Sequence, residues 1–427
     1  MIKTRRLWLV MVMIMLTVLV LATSPIWAQE YNYPYKNPDV ASLSVALMKS
    51  KGKGILGDVN LMNVANIAER NKTFLFEGRG QLRFGFYAQK QAAPLIFLIA
   101  DIGGSPVSGY MMYEADLLYQ NGFNVVTLAS PFFWNFIVSS SRTGIPGMTN
   151  EDAADMYQAM QLALNKVKIE HRHPITKLGL IGFGFGALEA AHISAVDQRE
   201  KKINIDRYLL INPVVNVIHA VTEIETRASI ALELGRSQVE YLKAKAFNFV
   251  VDHLDLKFKV DAPAYFINLE QRFAVTEKDY KFLSGVILRM NIGDTIFASQ
   301  LINNLKVLKS RLDRFHWNDR HKEIEAYGLV GYLQKIFVPF HSIKYPYLLN
   351  LIKHANFNYV RQEVRKNKNI FLMHNADDFI IDADQLAYLD KIFGAERSFI
   401  YPLGGHLGNL WYPQNQNDVI KVMTALK

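Results

Sequence analysis

The sequence predicts an α/β fold: a doubly wound, mostly parallel sheet that carries a large helical insertion. Three observations predict it. The continuous apolar run at 94–100 is of the kind that parallel sheets bury on both faces, and strand-like segments follow at 123–128, 177–182 and 208–212. Segments with helical spacing separate them, and this pitch of alternation implies right-handed crossovers. The rhythm then stops after Pro213 and resumes at Asn369.

In chain order, residues 1–28 read as an export signal. Lys3, Arg5 and Arg6 precede the apolar run 7–21, and small residues up to Ala28 break it before Gln29 and Glu30. Cleavage after Ala28 makes the protein periplasmic or secreted; a retained N-terminal anchor is the alternative, although the run falls short of the roughly 20 residues of a spanning helix. The Tyr-rich stretch 29–50 reads as an extended leader without chemistry. Phe74 and Phe76, then Leu82, Phe84 and Phe86, alternate around Gly78 and Gly80 as a hairpin would. The run 94–100 is the first buried strand, and a helix at about 109–121 leads to the strand 123–128. The next helix starts after Thr149, whose spacing to Asp152 suits a capping box. Strand 177–182, an Ala-rich helix from about 185 and strand 208–212 follow. The core therefore spans 29–213 and 369–427, with a helical cap at 214–368 that is too long for a loop.

Composition excludes several functions. The chain holds 48 basic and 39 acidic residues, net +9; the first 28 residues hold three of the basic ones and no acid, which leaves +6. These charges are dispersed, so nucleic-acid binding gains no support, and contact with an anionic membrane surface is the use they suit. With no cysteine, disulfides and thiol chemistry are excluded. His171 and His173 precede a strand and read as a solvated loop, while His316 and His321 lack metal-ligand spacing; no metal and no cofactor is expected. Gly182, Gly184 and Ala187 also match a dinucleotide fingerprint, but the following strand ends at Asn212-Pro213 without the required acid.

The motif with chemical content is Gly182-Phe183-Gly184-Phe185-Gly186, where a buried strand turns directly into a helix. Later, Asp377-Asp378 and Gly404-Gly405-His406 each follow a strand, and Asp101-Ile102-Gly103-Gly104-Ser105 follows the first parallel one. In this order the motifs resemble those of the α/β-hydrolase superfamily of esterases, lipases and serine peptidases. The resemblance implies a Gly-x-Ser-x-Gly elbow with Gly184 in the serine's place, Asp378 and His406 as acid and histidine, and Gly103, Gly104 and Phe185 as backbone donors to an oxyanion. It also implies a cap at 214–368. Asp101 stands where many members have histidine.

Without a hydroxyl at 184, His406 has no nucleophile to deprotonate. The leading expectation is therefore a pseudoenzyme that binds a small apolar ligand or an envelope protein under the cap. The alternative is a hydrolase using Ser105, or Ser130 and Ser139-Ser140-Ser141, as a displaced nucleophile, or a water activated by His406; the same serines also read as turn residues. The aromatic stretches 131–137 and 332–348 read as cap-to-core packing or as the walls of an apolar pocket.

Overall fold

Eight strands form one mixed sheet whose order, β1-β2-β4-β3-β5-β6-β7-β8, is that of the α/β-hydrolase type. The strands are β1 (Asn60–Val64), β2 (Leu82–Tyr87), β3 (Ala93–Ile99), β4 (Asn124–Leu128), β5 (Ile175–Phe183), β6 (Arg207–Ile211), β7 (Ile370–Asn375) and β8 (Ser398–Tyr401). The computed structural model describes residues 31–48, 60–64, 80–235, 237–242, 244, 275–311 and 317–427. The expected export signal, Phe74, Phe76 and His316 lie outside them.

β3 to β8 run parallel, because helical crossovers join them, whereas β1 and β2 are antiparallel to their neighbours. β3 and β4 are buried throughout, β3 as a continuous apolar run and β4 with Asn124 and Thr127 also inside. The first strand of the expected hairpin, with Phe74 and Phe76, lies outside the described residues; β2 pairs on one side with β1, Leu82 opposite Val64, and on the other with β4. The alternation of Leu82, Phe84 and Phe86 identified a strand but carried no information about its partner.

The helices that matter for the site are α1 (Pro38–Leu43), α2 (Gly109–Gln120), α3 (Thr149–Glu170) and α4 (Phe185–Glu200) in the core, then α5 (Val217–Ser229), α6 (Glu277–Met290), α7 (Ile292–Asn303) and α8 (Leu348–Ala355) between β6 and β7. After β7 come α9 (Ala383–Phe393) and α10 (Pro413–Thr424). The expected capping box at Thr149 does not form. Thr149 is already helical, its hydroxyl donates to the Ala355 carbonyl at 2.9 Å, and the Asp152 carboxylate accepts the Gly147 N–H at 2.6 Å. Both side chains tie the core helix to distant or preceding backbone instead of to each other.

The supposed leader is also corrected, since α1 is part of the folded body. Asp39 is buried against the Arg227 guanidinium of α5 at 3.3 Å and accepts the Ser284 hydroxyl of α6 at 2.6 Å, while Arg227 lies 3.8 Å over the Phe379 ring. A buried ion pair survives desolvation only when its geometry and extra hydrogen bonds compensate, and here both conditions hold. We expect Asp39→Ala to cost about 2 kcal/mol in urea denaturation, the range for a lost hydrogen bond to a charged group; Arg227 keeps Glu223 as a partner and is not orphaned. A variant as stable as the parent would show that α1 is held by its apolar contacts alone.

Candidate functional site

The site forms where β3, β5, β7 and β8 end. β5 runs straight into α4 through Gly184, whose φ of +54° and ψ of −117° suit glycine rather than a residue with a side chain. A Cβ on Gly182 would overlap the Gly186 carbonyl and Ala187, so the small residues flanking the corner let helix and strand approach. This much has the geometry of a nucleophile elbow.

The empty volume at Gly184 is filled. A Cβ built there would overlap the carboxylate of Asp101, which turns back from the end of β3. Asp101 Oδ1 accepts the Phe185 N–H at 2.7 Å, and Oδ2 accepts the His406 Nε2–H at 3.0 Å. The carboxylate therefore caps the N-terminus of α4, where the unpaired N–H groups and the helix dipole favour negative charge. The Asp101 N–H donates to the Tyr110 hydroxyl at 2.8 Å, fixing the loop from which the side chain departs.

On its other edge, His406 Nδ1–H donates to Asp378 Oδ2 at 2.9 Å. Asp378 also accepts the Asn212 side-chain amide at 2.7 Å and the Ile380 N–H at 2.9 Å, whereas Asp377 is turned away to accept the Gly405 N–H at 2.8 Å. The His406 backbone is held by the Ser42 hydroxyl of α1 at 2.7 Å, in a tight turn where Leu407 has a φ of +62°. Asn375 braces that turn through the Gly405 carbonyl and Asn409.

An imidazole clamped between two carboxylates carries a proton on each nitrogen, since ionised carboxylates only accept. Burial opposes the charge on His406, yet Asp378 and Asp101 together outweigh it and push the imidazole up to about 10. Burial likewise pushes the Asp378 carboxyl up, and His406, through charge and hydrogen bond, more than reverses this and holds it below its ordinary range. The site at neutral pH is thus a carboxylate–imidazolium–carboxylate chain.

The structure does not bring the expected alternative nucleophiles to His406. Ser105 Oγ lies 3.3 Å from Ser108 Oγ and accepts the Val107 N–H, so it closes its own turn. Ser130 accepts the Phe132 N–H, Ser139 donates to the Asn135 carbonyl, and Ser141 accepts the Gly144 N–H. Of the expected oxyanion donors, Phe185 N–H is occupied by Asp101 Oδ1 and Gly104 N–H by the Asp101 carbonyl at 2.8 Å. Gly103, at a φ of +68°, packs against Asn291, where any side chain would collide. A water activated by His406 is opposed by the same geometry, because neither ring nitrogen offers a lone pair. No group of three or more His, Asp or Glu able to hold a metal occurs among the described residues.

Sequence reasoning noted Asp101 and Asn212 without giving them a place here, and it missed Ser42. For Asp101 the signal was a carboxylate just past β3, facing a corner whose residue has no side chain. For Ser42 there was none, as its contact spans the whole chain.

Beside Asp101 and His406 lies a cavity of about 220 Å³. Ser42, Ser108 and Ser284 give it a few polar points, and Leu43, Ile287, Leu288 and Leu407 an apolar wall. It opens between α1, α6 and the loop after β3. The aromatic stretches do not line it: Phe132 packs on Phe185 and Tyr332 at centroid distances of 6.1 and 6.4 Å, and only about 30 Å³ is left among them. Those residues cement cap to core.

No family model matches the chain, and no curated protein matches it. Among solved structures it is similar to a Pyrococcus furiosus esterase (10% identity, 88% of this chain and 97% of the other, TM-score 0.43) and to esterase B from Lactobacillus rhamnosis (11%, 90% and 89%, 0.42). It is also similar to the acylaminoacyl peptidase of Pyrococcus horikoshii (10%, 86% and 41%, 0.40). The fold assignment rests on the strand order and not on these likenesses.

The clamp has a pH signature. His406 is raised in the folded state above its ordinary 6.5, so its contribution to stability is complete below that value and is lost as pH climbs through about 10. The Asp378 contribution is present above the ordinary carboxylate value and drains as pH falls below it. We expect the His406 ring resonances in NMR to stay those of imidazolium at pH 8, and Asp101→Asn to lower the midpoint. A wild-type midpoint near 6.5 would mean that Asp101 does not clamp the ring.

Proposed function

We propose that this α/β-hydrolase-like protein performs no serine acyl transfer and uses its site to bind a small, largely apolar molecule. The observation that carries the reading is Asp101: its carboxylate occupies the volume a side chain at 184 would take and consumes both the Phe185 N–H and the histidine Nε2. Acyl transfer needs an acceptor nitrogen, a nucleophile and free oxyanion donors at one point. Each of the three is missing or engaged there.

The 220 Å³ cavity supports the binding half of the reading. An enclosed apolar cavity of roughly 150 Å³ takes a benzene-sized guest, so this one suits a molecule somewhat larger, with its polar end against Asp101 and the serines. The expected ligand position under the cap aromatics shifts accordingly to the α1 and α6 side. An exported location, carried by the segment 1–28, remains part of the proposal.

Fluorophosphonate labelling tests the catalytic half: we expect no adduct on the wild-type protein, and a covalent adduct on any serine would overturn the reading. Gly184→Ser alone should stay silent, because its side chain collides with Asp101. The double variant Asp101→Ala/Gly184→Ser frees the corner and the Phe185 N–H together and should gain detectable labelling and ester hydrolysis. Silence of that variant, with its fold intact by circular dichroism, would mean that the departure from hydrolase geometry extends beyond these two positions.

A further inference from the structure

Among the described residues, a group of exposed apolar side chains close in sequence lies away from the site residues, at the corner leading into α8 and on its first turn. Ile343 is 86% exposed, Tyr347 72%, Leu348 56% and Leu349 80%. Burial of such residues is the favourable state, and a cluster left outside marks a surface that meets something. The corner is not loose. Its helix buries Leu351 and Ala355, Tyr345 and Lys344 are bound to Glu151 of α3, and His341 is buried with Nε2 2.9 Å from the Ile145 carbonyl. The scaffold is held while the four apolar side chains are presented.

Two features decide what they meet. At such exposure the side chains protrude instead of lining a groove, a form that can insert into a fluid interface. Second, from Ala326 to Gln362 the sequence has no acidic residue but contains Lys335, Lys344, Lys353 and Arg361. Lys353 is exposed on α8 itself, and the Lys344 side chain is 67% exposed next to Ile343 even while it touches Glu151. Apolar and aromatic side chains at the tip with lysines behind them are the arrangement that seats in an anionic bilayer interface, the tip entering the acyl boundary and the ammonium groups meeting the phosphates. We propose that the corner formed by Ile343, Tyr347, Leu348 and Leu349 docks this protein onto an anionic phospholipid surface.

The chain has no cysteine, so one introduced thiol can be labelled uniquely. Leu349→Cys and, as a control, Ile169→Cys, which is 82% exposed on α3, each carry an environment-sensitive fluorophore in the full chain. On adding vesicles of equal phosphatidylglycerol and phosphatidylcholine, we expect the Leu349 label to shift to the blue and brighten, and the Ile169 label to stay as in water. Phosphatidylcholine vesicles alone should give a much smaller change. In the Leu349 background, Ile343→Ser/Leu348→Ser should weaken the vesicle response by about tenfold at an unchanged melting temperature, in line with losing buried apolar area, and Lys353→Glu should weaken it most at low salt. The control makes the readout local, so membrane binding through the apolar run 7–21 cannot imitate it. An unshifted Leu349 label with anionic vesicles would overturn the proposal, as would equal shifts at both positions. A shift that follows protein concentration without lipid would overturn it in favour of a second copy of the chain.

Discussion

One carboxylate, that of Asp101, organises the centre of this molecule. Asp101 can turn into the β5–α4 corner only because Gly184 has no side chain, and Gly184 leaves no void only because Asp101 enters. The two positions are sterically exclusive of the arrangement they replace. A carboxylate here also satisfies what a helix N-terminus at a sheet edge demands, a negative group against its first free N–H. The corner is therefore a complete structure and not a hydrolase elbow with a part removed.

The remaining residues follow from electrostatics. A second buried carboxylate on an imidazole would be costly if the ring were neutral, so Asp101 and Asp378 between them fix His406 as a cation. That cation in turn holds Asp378 ionised despite full burial, and Asn212 and the Ile380 N–H supply its other partners. In a triad the same imidazole must release and recover a proton in each cycle, which requires a value near the working pH. Raising it to about 10 exchanges that ability for a permanent bond between the ends of β3, β7 and β8.

What the sequence made legible was whatever is encoded locally. β3 was readable because its run is apolar throughout and β4 to β6 because helical segments alternate with them, and His406 and Asp378 because each sits shortly after a strand. β1 was not: Asn60–Val64 alternates over only a few residues, with the polar Asn63 as much a part of it as Val64. α1 has ordinary capping by Asn37 and Pro38 at its start, but its place depends on Arg227 and Ser284, nearly two hundred residues or more away. Thr149 and Asp152 show the reverse error, a valid local pattern whose two members found better partners in Ala355 and Gly147. The direction in which Asp101 turns is of the same kind, since nothing in its own loop specifies it.

Between the two aromatic stretches and the site lies a division of labour that composition alone hides. Phe132, Phe185, Tyr332 and Phe337 converge on a space of about 30 Å³, too small for anything beyond a water-sized guest, so their area is already used to hold cap on core. The cavity beside the site lies apart from these aromatics, between α1, the cap helix α6 and the loop after β3. α1 lines part of this cavity, and its Ser42 also grips the His406 backbone. The apolar residues left outside, Ile343, Tyr347, Leu348 and Leu349, belong neither to the aromatic packing nor to the cavity lining.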